Sequence, residues 1–148
     1  MMTHTEATEL LKRLIAIPSI SRDEKAAADF LEKQLKQQGL APMRHHNNLW
    51  CVGRAQLPNR PTLLLNAHID TVKPAAGWQC DPFTPLLEGE CLYGLGSNDC
   101  GGGLVSLLAV FTQLEKRTDI PWNLVFLASA EEEVSGKNGI ESVIPLLP

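Results

Sequence analysis

The fold of this chain is decided by the stretch Thr62-Leu63-Leu64-Leu65-Asn66-Ala67-His68 and by a second apolar run, Asn123 to Ala130. Each run begins close after a proline and has the length and composition of a β-strand. The three consecutive leucines show no polar–apolar alternation, so the first strand is predicted to be buried on both faces. A helix from about Gly103 to Lys116 joins the two runs, because its apolar residues recur at helical spacing. This strand–helix–strand unit predicts an α/β fold with a largely parallel central sheet flanked by helices.

The same patterns predict further elements on either side of this unit. A first helix from about Thr5 to Ile17 ends at Pro18. A second helix opens with a capping box at Ser21–Glu24 and ends at Gly39. The remaining predicted elements are a strand over Leu49–Gly53, a hairpin over Leu86–Tyr93 and a short helix around Ile140–Ile144. Residues 1–148 are therefore interpreted as one domain.

Composition excludes several classes of function. The chain has 148 residues and a net charge of -4, which is not the basic surface that nucleic-acid binding needs. The longest run without a charged residue, Cys100–Leu114, is too short to cross a membrane. The four cysteines show no Cys-x-x-Cys spacing and no secretion signal is recognised, so reduced thiols and a cytoplasmic location are expected.

Chemically useful residues follow the first predicted strand, where α/β sheets bind ligands. In His68-Ile69-Asp70 the imidazole and the carboxylate point the same way, because residues two apart in an extended chain share a face. This arrangement suits a metal-binding histidine oriented by a carboxylate, or a histidine beside a second metal contact. A solvated loop histidine beside a turn aspartate is the alternative for so short a motif.

Two further segments offer carboxylates. The loop Tyr93–Gly103 has five glycines around Asp99, but it lacks the Lys-Ser/Thr pair of a phosphate-binding loop. Asp99 is interpreted either as a helix cap or as a carboxylate held to touch a cation. Glu131-Glu132-Glu133 ends the second strand and is either a solvated acidic turn or a place where a cation relieves the repulsion between its acids. One histidine and several acids at one sheet edge fit Zn²⁺, Mn²⁺ or Co²⁺.

Four motifs occur in order along the chain: His68–Val72, Gly77–Phe83, Tyr93–Asp99 and Ala130–Val134. Taken together they resemble the metal-dependent deacylases and exopeptidases. This family includes acetylornithine deacetylase, succinyl-diaminopimelate desuccinylase, aminoacylase and glutamate carboxypeptidase, and the chain is expected to resemble acetylornithine deacetylase most. The resemblance runs from about residue 5 to the end of the chain.

The resemblance implies a site with two zinc ions, with Co²⁺ or Mn²⁺ as substitutes. Its metal ligands are His68, Asp99, which bridges the two ions, and Glu133. The implied catalytic residues are Glu132, as the general base, and Asp70, which holds the His68 ring. A register shift of one would move the base and ligand roles to Glu131 and Glu132. The resemblance also implies a cis peptide bond after Asp99, direct attack by water and no covalent acyl-enzyme.

The resemblance further implies that the site needs another carboxylate and a second histidine, which residues after Glu133 do not supply. The chain is therefore expected to be the N-terminal part of a catalytic domain, inactive by itself, without a separate lid or dimerisation domain. The leading hypothesis for the whole protein is hydrolysis of a small N-acyl amino acid by a homo-oligomer that uses no nucleic acid and no membrane. The alternatives are a peptidase of the same family and an inactive, truncated fragment that only binds metal or self-associates.

Overall fold

A computed structural model describes all 148 residues and contains three α-helices and six strands. The helices are α1 (His4–Ile15), α2 (Lys25–Gln37) and α3 (Gly103–Leu114). The strands are β1 (Met43–His45), β2 (Asn48–Val52), β3 (Thr62–His68), β4 (Leu86–Glu88), β5 (Cys91–Tyr93) and β6 (Asn123–Ser129). These elements confirm the predicted α/β class and all the predicted strands. None of the helices is both long and apolar enough to span a lipid bilayer.

The main sheet has the strand order β1-β2-β6-β3. Strands β3 and β6 are parallel and β3 crosses over through α3, as the strand–helix–strand pattern predicted. The pairs β2–β6 and β1–β2 are antiparallel, so the sheet is partly parallel. Strands β4 and β5 form the separate predicted hairpin, with Gly89 in the left-handed conformation at its turn.

The main core lies between the helices and one face of this sheet. Alternate residues of β6 point into it, and the Phe126 ring lies 5.9 Å from the Phe111 ring of α3. The intervening residues Val125 and Leu127 face the other side, where they pack with Trp50 and Val143. The last part of the chain covers this second face with two 3₁₀ turns, Ile140–Ser142 and Ile144–Leu146, instead of one short helix.

Two predictions about these elements are wrong. Burial on both faces belongs to β6, while Leu63 of β3 is 40% exposed, because β3 pairs with β6 alone and lies at the sheet edge. The predicted capping box at Ser21–Glu24 is absent, because α2 begins at Lys25 and Ser21 Oγ donates to Asp70 Oδ2 at 2.6 Å. A capping box is instead present at Thr3 and Glu6, where α1 begins.

Candidate metal centre

His68 lies at the carboxyl end of β3, beside Ser129 at the end of β6. Its ring is buried, and Nδ1 donates to the backbone oxygen of Asp70 at 2.9 Å. A carbonyl oxygen only accepts hydrogen bonds, so the proton of the neutral ring sits on Nδ1. The lone pair of Nε2 is therefore available to a ligand.

Asp70 is the most heavily bonded carboxylate at this edge. It is 1% exposed and accepts hydrogen bonds from Ser21 Oγ and from the backbone N–H groups of Glu132 and Glu133. Burial by itself raises its pKa, but the hydrogen bonds from His68, Ser21 and the two backbone groups outweigh burial, so the Asp70 pKa is lowered. Asp70 is therefore an ionised carboxylate that joins the His68 strand to the acidic turn.

Asp70 also raises the pKa of His68. Its carboxylate lies 3.5 Å from Nδ1 and raises the pKa of His68 to about 9, against the opposing effect of burial. A proton on Nε2 is thus favoured while carboxylates surround the ring. The same electrostatic field favours a divalent cation at this atom.

Asp99 approaches His68 from the glycine-rich loop, and its Oδ1 lies 3.1 Å from Nε2. The Asp99 side chain is 76% exposed and caps no helix, so the helix-cap interpretation does not hold. The peptide bond between Asp99 and Cys100 is cis, as the resemblance implied. Asp99 therefore presents a free carboxylate beside the imidazole.

Two glycines of this loop, Gly94 and Gly101, lie too close to α1 for a residue with a side chain. A Cβ at Gly94 would lie 2.5 Å from Ile15, and a Cβ at Gly101 would lie 2.5 Å from Leu11. Ile15 and Leu11 belong to α1, so the backbone of the loop packs directly against that helix. This close approach fixes the loop that carries Asp99.

Glu132 and Glu133 stand on a 3₁₀ turn just after β6. Glu132 Oε2 lies 3.7 Å from His68 Nε2, and ligand atoms of His68, Glu132 and Glu133 lie within 4.8 Å of one another. Burial raises the pKa of Glu133, and the neighbouring charge of Asp99 raises it further. A second group of possible ligands with the same spacing contains His68, Asp99 and Cys100.

Glu131 points away from this centre. It is buried, and its carboxylate accepts hydrogen bonds from the backbone N–H and side-chain amide of Asn138 at 3.3 and 2.9 Å. A Cβ at Gly136 would lie 1.9 Å from Glu131 Oε2, so glycine is needed there. Of the three consecutive acids, Glu132 and Glu133 are therefore the two that lie near His68.

The structure brings the acids Asp99, Glu132 and Glu133 close to His68. It also adds residues that the sequence interpretation did not assign to the site. His68 contacts Asp99 on one side and the pair Glu132–Glu133 on the other, while Asp99 and Glu133 fall in different groups. Cys100, to which the sequence assigned no role, places its thiol within reach of His68 and Asp99. Ser21 belongs to the site through Asp70, although its Ser-x-x-Glu pattern indicated a helix cap.

These donors fit a divalent cation. An imidazole nitrogen whose ring is oriented through its other nitrogen, together with carboxylate oxygens, is the donor set typical of Zn²⁺ and Mn²⁺. The carboxylates of Asp99 and Glu132 both lie close to the His68 ring, where a cation would relieve the repulsion between neighbouring acids. The ligand atoms of His68 and Asp99 fall in one group and those of His68, Glu132 and Glu133 in another, so these side chains could hold a divalent cation.

The site is an open rim and not a deep pocket. The cavity that His68, Asp70 and Cys100 help to line has a volume of about 30 Å³, which is room for little more than a water molecule. A larger cavity, of about 470 Å³, lies among Glu6, Arg13, Gln34 and Lys116, and none of the candidate metal ligands lines it.

Comparison with known proteins identifies relatives of this chain. The sequence pattern of peptidase family M20/M25/M40 matches residues 64–147. Succinyl-diaminopimelate desuccinylase of Buchnera aphidicola is 32% identical over 97% of this chain and 39% of its own length. The chain thus spans about two fifths of this curated relative.

Solved structures share the fold. A tripeptidase from Staphylococcus aureus is 25% identical, with a TM-score of 0.71 over 100% of this chain and 42% of that protein. A dinuclear metal-binding peptidase of the M20 family from Bacillus subtilis gives a TM-score of 0.68 at 16% identity, over 96% of this chain and 38% of that protein. Both likenesses extend over the elements that carry His68, Asp99 and Glu132.

Proposed function

We propose, because this chain belongs to peptidase family M20/M25/M40, that it forms part of the catalytic domain of a metal-dependent hydrolase of N-acyl amino acids. Metallopeptidases of this family bind divalent metals. One observation carries the proposal: His68 Nε2 faces Asp99 Oδ1 at 3.1 Å and Glu132 Oε2 at 3.7 Å, while Nδ1 is engaged by Asp70. The family gives the reaction class, and this geometry supports the assignment of residues.

The residues that would hold the zinc ions are His68, Asp99 and Glu133. Bound zinc supplies a more acidic water and polarises the substrate carbonyl. Asp70 keeps the His68 ring oriented through Nδ1, and its hydrogen bonds to the turn keep Glu132 and Glu133 facing that ring. Asp70 thus links both sides of the site.

Glu132 is the proposed general base. Its carboxylate is 55% exposed and makes no hydrogen bond that would occupy it, so it can reach a water above the rim. It takes a proton from the attacking water and delivers that proton to the nitrogen of the leaving amine as the amide bond breaks. No side-chain nucleophile is needed, so neither Ser97 nor Cys100 is assigned that role.

The proposal is tested by replacing Glu132 with Gln in the whole protein. Removal of a general base lowers kcat by about 10²–10⁴-fold. Zinc content, measured by elemental analysis, stays unchanged, because Glu132 is not a proposed ligand. The surface variant Glu90→Gln keeps full activity. Full activity in Glu132→Gln rejects this base assignment, and loss in Glu131→Gln alone favours the shifted register.

The substrate class is tested with two acyl amino acids. N-acetylornithine follows from the motif resemblance, and N-succinyl-diaminopimelate is the substrate in the name of the Buchnera relative. A tripeptide is the third substrate, because the 25% identical tripeptidase favours peptide hydrolysis as the second candidate function. The ratio of kcat/KM values among the three decides between deacylase and peptidase. Equal inactivity towards all three rejects both candidates.

A third candidate, of another class, is an inactive module that only binds metal or self-associates. Self-association is supported by β3, whose outer edge has no partner strand in the sheet. This candidate is favoured if the chain binds metal, or sediments as an oligomer, and hydrolyses none of the three substrates. A homo-oligomer with measurable hydrolysis is the outcome that we expect for the whole protein.

A further inference from the structure

Four consecutive backbone N–H groups, those of residues 130–133, donate to buried side chains from distant parts of the chain. Asn48 Oδ1 accepts from Ala130 at 2.9 Å, and Glu24 Oε1 accepts from Glu131 at 3.2 Å. Asp70 accepts from Glu132 and Glu133, each at 3.1 Å. These four N–H groups are thus bound by side chains and not by backbone carbonyl groups.

Glu24 is the unexpected member of this set. It is 0% exposed, and no lysine, arginine or histidine forms an ion pair with it. Its other hydrogen bonds come from the backbone of Arg22 at 2.6 Å and from Asn47 Nδ2 at 3.1 Å. A buried carboxylate is costly unless hydrogen bonds compensate it, and one of the three that do so comes from Glu131.

The backbone of Glu131 needs such support. Its φ is +54°, a left-handed conformation that non-glycine residues seldom adopt and that persists where the surroundings enforce it. Glu131 caps the 3₁₀ turn that carries Glu132 and Glu133. Its backbone conformation therefore sets the direction of that turn and of the two side chains on it. Glu24 accepts a hydrogen bond from the Glu131 backbone N–H, and Asn138 donates one to the Glu131 carboxylate.

We propose that Glu24 is a positioning residue for the metal centre, acting through the Glu131 N–H to hold Glu132 and Glu133 towards His68. This inference rests on the proposed function for its consequence, but the hydrogen bond and the turn exist without metal. This role requires a side chain long enough to place an acceptor oxygen within hydrogen-bond distance of the Glu131 N–H. The negative charge of Glu24 is not required.

Two variants separate reach from charge. Glu24→Gln keeps the length and the oxygen that accepts from Arg22 and Glu131, and loses only the Asn47 hydrogen bond, because its Nε2 is a donor. Glu24→Asp keeps both carboxylate oxygens but is one methylene shorter. Glu115→Asp is the matched control, because Glu115 is also a buried glutamate (4% exposed) that accepts a backbone N–H, from Arg54, outside the site. Any general effect of shortening a buried glutamate appears in this control.

The first measurement is amide hydrogen exchange by NMR in metal-free protein. Glu24→Asp is expected to speed exchange of the Glu131, Glu132 and Glu133 amides about tenfold or more relative to the β6 amides. Glu24→Gln and Glu115→Asp leave these three rates within about twofold of wild type. Unchanged exchange at residues 131–133 in Glu24→Asp overturns the proposal.

The second measurement is Co²⁺ titration followed by the visible absorption spectrum, which reports ligand geometry. Glu24→Asp should weaken Co²⁺ binding about 10-fold or more and alter the band shape, as loss of an outer partner of a metal site does. In Glu24→Gln, the Co²⁺ affinity and the band shape should both stay at the wild-type values. A purely structural role would lower the unfolding temperature and leave the Co²⁺ spectrum of the folded fraction unchanged, which also overturns the proposal.

The outcomes distinguish this inference from the proposed function. If wild-type protein binds no Co²⁺ but exchange at residues 131–133 responds to Glu24→Asp, the metal centre fails and the positioning role holds. If Glu24→Asp does not fold, Glu24→Met takes its place, since it keeps the length of the side chain and offers no acceptor oxygen to the Glu131 N–H. The same rise in exchange is then expected, and its absence overturns the proposal.

Discussion

His68 illustrates how one hydrogen bond decides the chemistry of a ring. Because Nδ1 is engaged by the Asp70 backbone, the other nitrogen faces the carboxylates of Asp99 and Glu132. A proton and a metal ion compete for that nitrogen. The two states of the site are therefore linked through pH.

Metal binding should strengthen as the pH rises. With a His68 pKa of about 9, the ring is protonated at neutral pH in metal-free protein, and binding must displace that proton. The apparent Kd for Zn²⁺ is expected to fall about tenfold per pH unit below this pKa and to level off above it. Calorimetry in buffers of different ionisation enthalpy measures the released proton.

The surface histidine His46 provides the control for this titration. His46→Gln should keep the pH dependence of Zn²⁺ binding, whereas His68→Gln should lose the binding. An apparent Kd that stays constant between pH 6.5 and the His68 pKa of about 9 would contradict the assignment of Nε2 as a ligand.

Cys51 and Cys91 should differ sharply in reactivity. Burial raises the pKa of Cys51 to about 12, with the Glu115 charge adding to the effect, so its thiol stays protonated near neutral pH. Cys91 lies exposed on the hairpin. Iodoacetamide treatment followed by mass spectrometry should label Cys91 and spare Cys51 in folded protein. Equal labelling of both would show that β2 is not buried.

At the level of elements, local sequence patterns located the helices but misplaced a cap. Ser-x-x-Glu at Ser21 and Thr-x-x-Glu at Thr3 look alike in the sequence. Only Thr3 forms the reciprocal bonds, because the Ser21 hydroxyl is drawn to Asp70. A long-range partner therefore overrode a local preference.

Removal of the Thr3 cap should weaken α1. Thr3→Ala loses the acceptor for the Glu6 N–H, and loss of an N-cap typically lowers the free energy of unfolding by about 1 kcal/mol. Urea denaturation followed by circular dichroism measures the change. Thr118→Ala, at an exposed position outside the helices, is the matched control and should change little. An equal loss in both variants would argue against the cap.

At the scale of the whole molecule, the sheet separates two packed faces. The helices cover one face with a cluster of 20 buried residues, and the 3₁₀ turns cover the other with a smaller one. Strand β6 contributes to both clusters, whereas β3 reaches solvent at its outer edge. The stability of the molecule should therefore depend more on β6 than on β3.

Truncation of one large side chain on each strand tests this difference. Phe126→Ala leaves a cavity beside Phe111 and should lower the free energy of unfolding by about 3–5 kcal/mol. Leu63→Ala removes a side chain that is 40% exposed and should cost less than about 1.5 kcal/mol. Denaturant unfolding measures both variants. A larger loss for Leu63→Ala would contradict the strand order.

Much of the molecule could be predicted from local pattern. The spacing of apolar residues located α1, α2, α3 and the strands, since burial repeats with the period of each element. The rule that ligands bind beyond parallel strands brought His68 and the Glu131–Glu133 turn to one edge. Which strand lies at the centre of the sheet could not be predicted, because Leu63–Leu65 and Leu124–Leu127 are similarly apolar.

The sequence by itself determined the α/β class, the family and the residue types that can serve a metal, because these follow from periodicity and from motifs within a few residues. Only the tertiary structure decided that Glu131 turns to Asn138, that Glu132 and Glu133 face His68, and that Ser21 and Glu24 serve the site. Each of these depends on hydrogen bonds between residues far apart in the chain. Their strength is set by burial and distance, which no local pattern encodes.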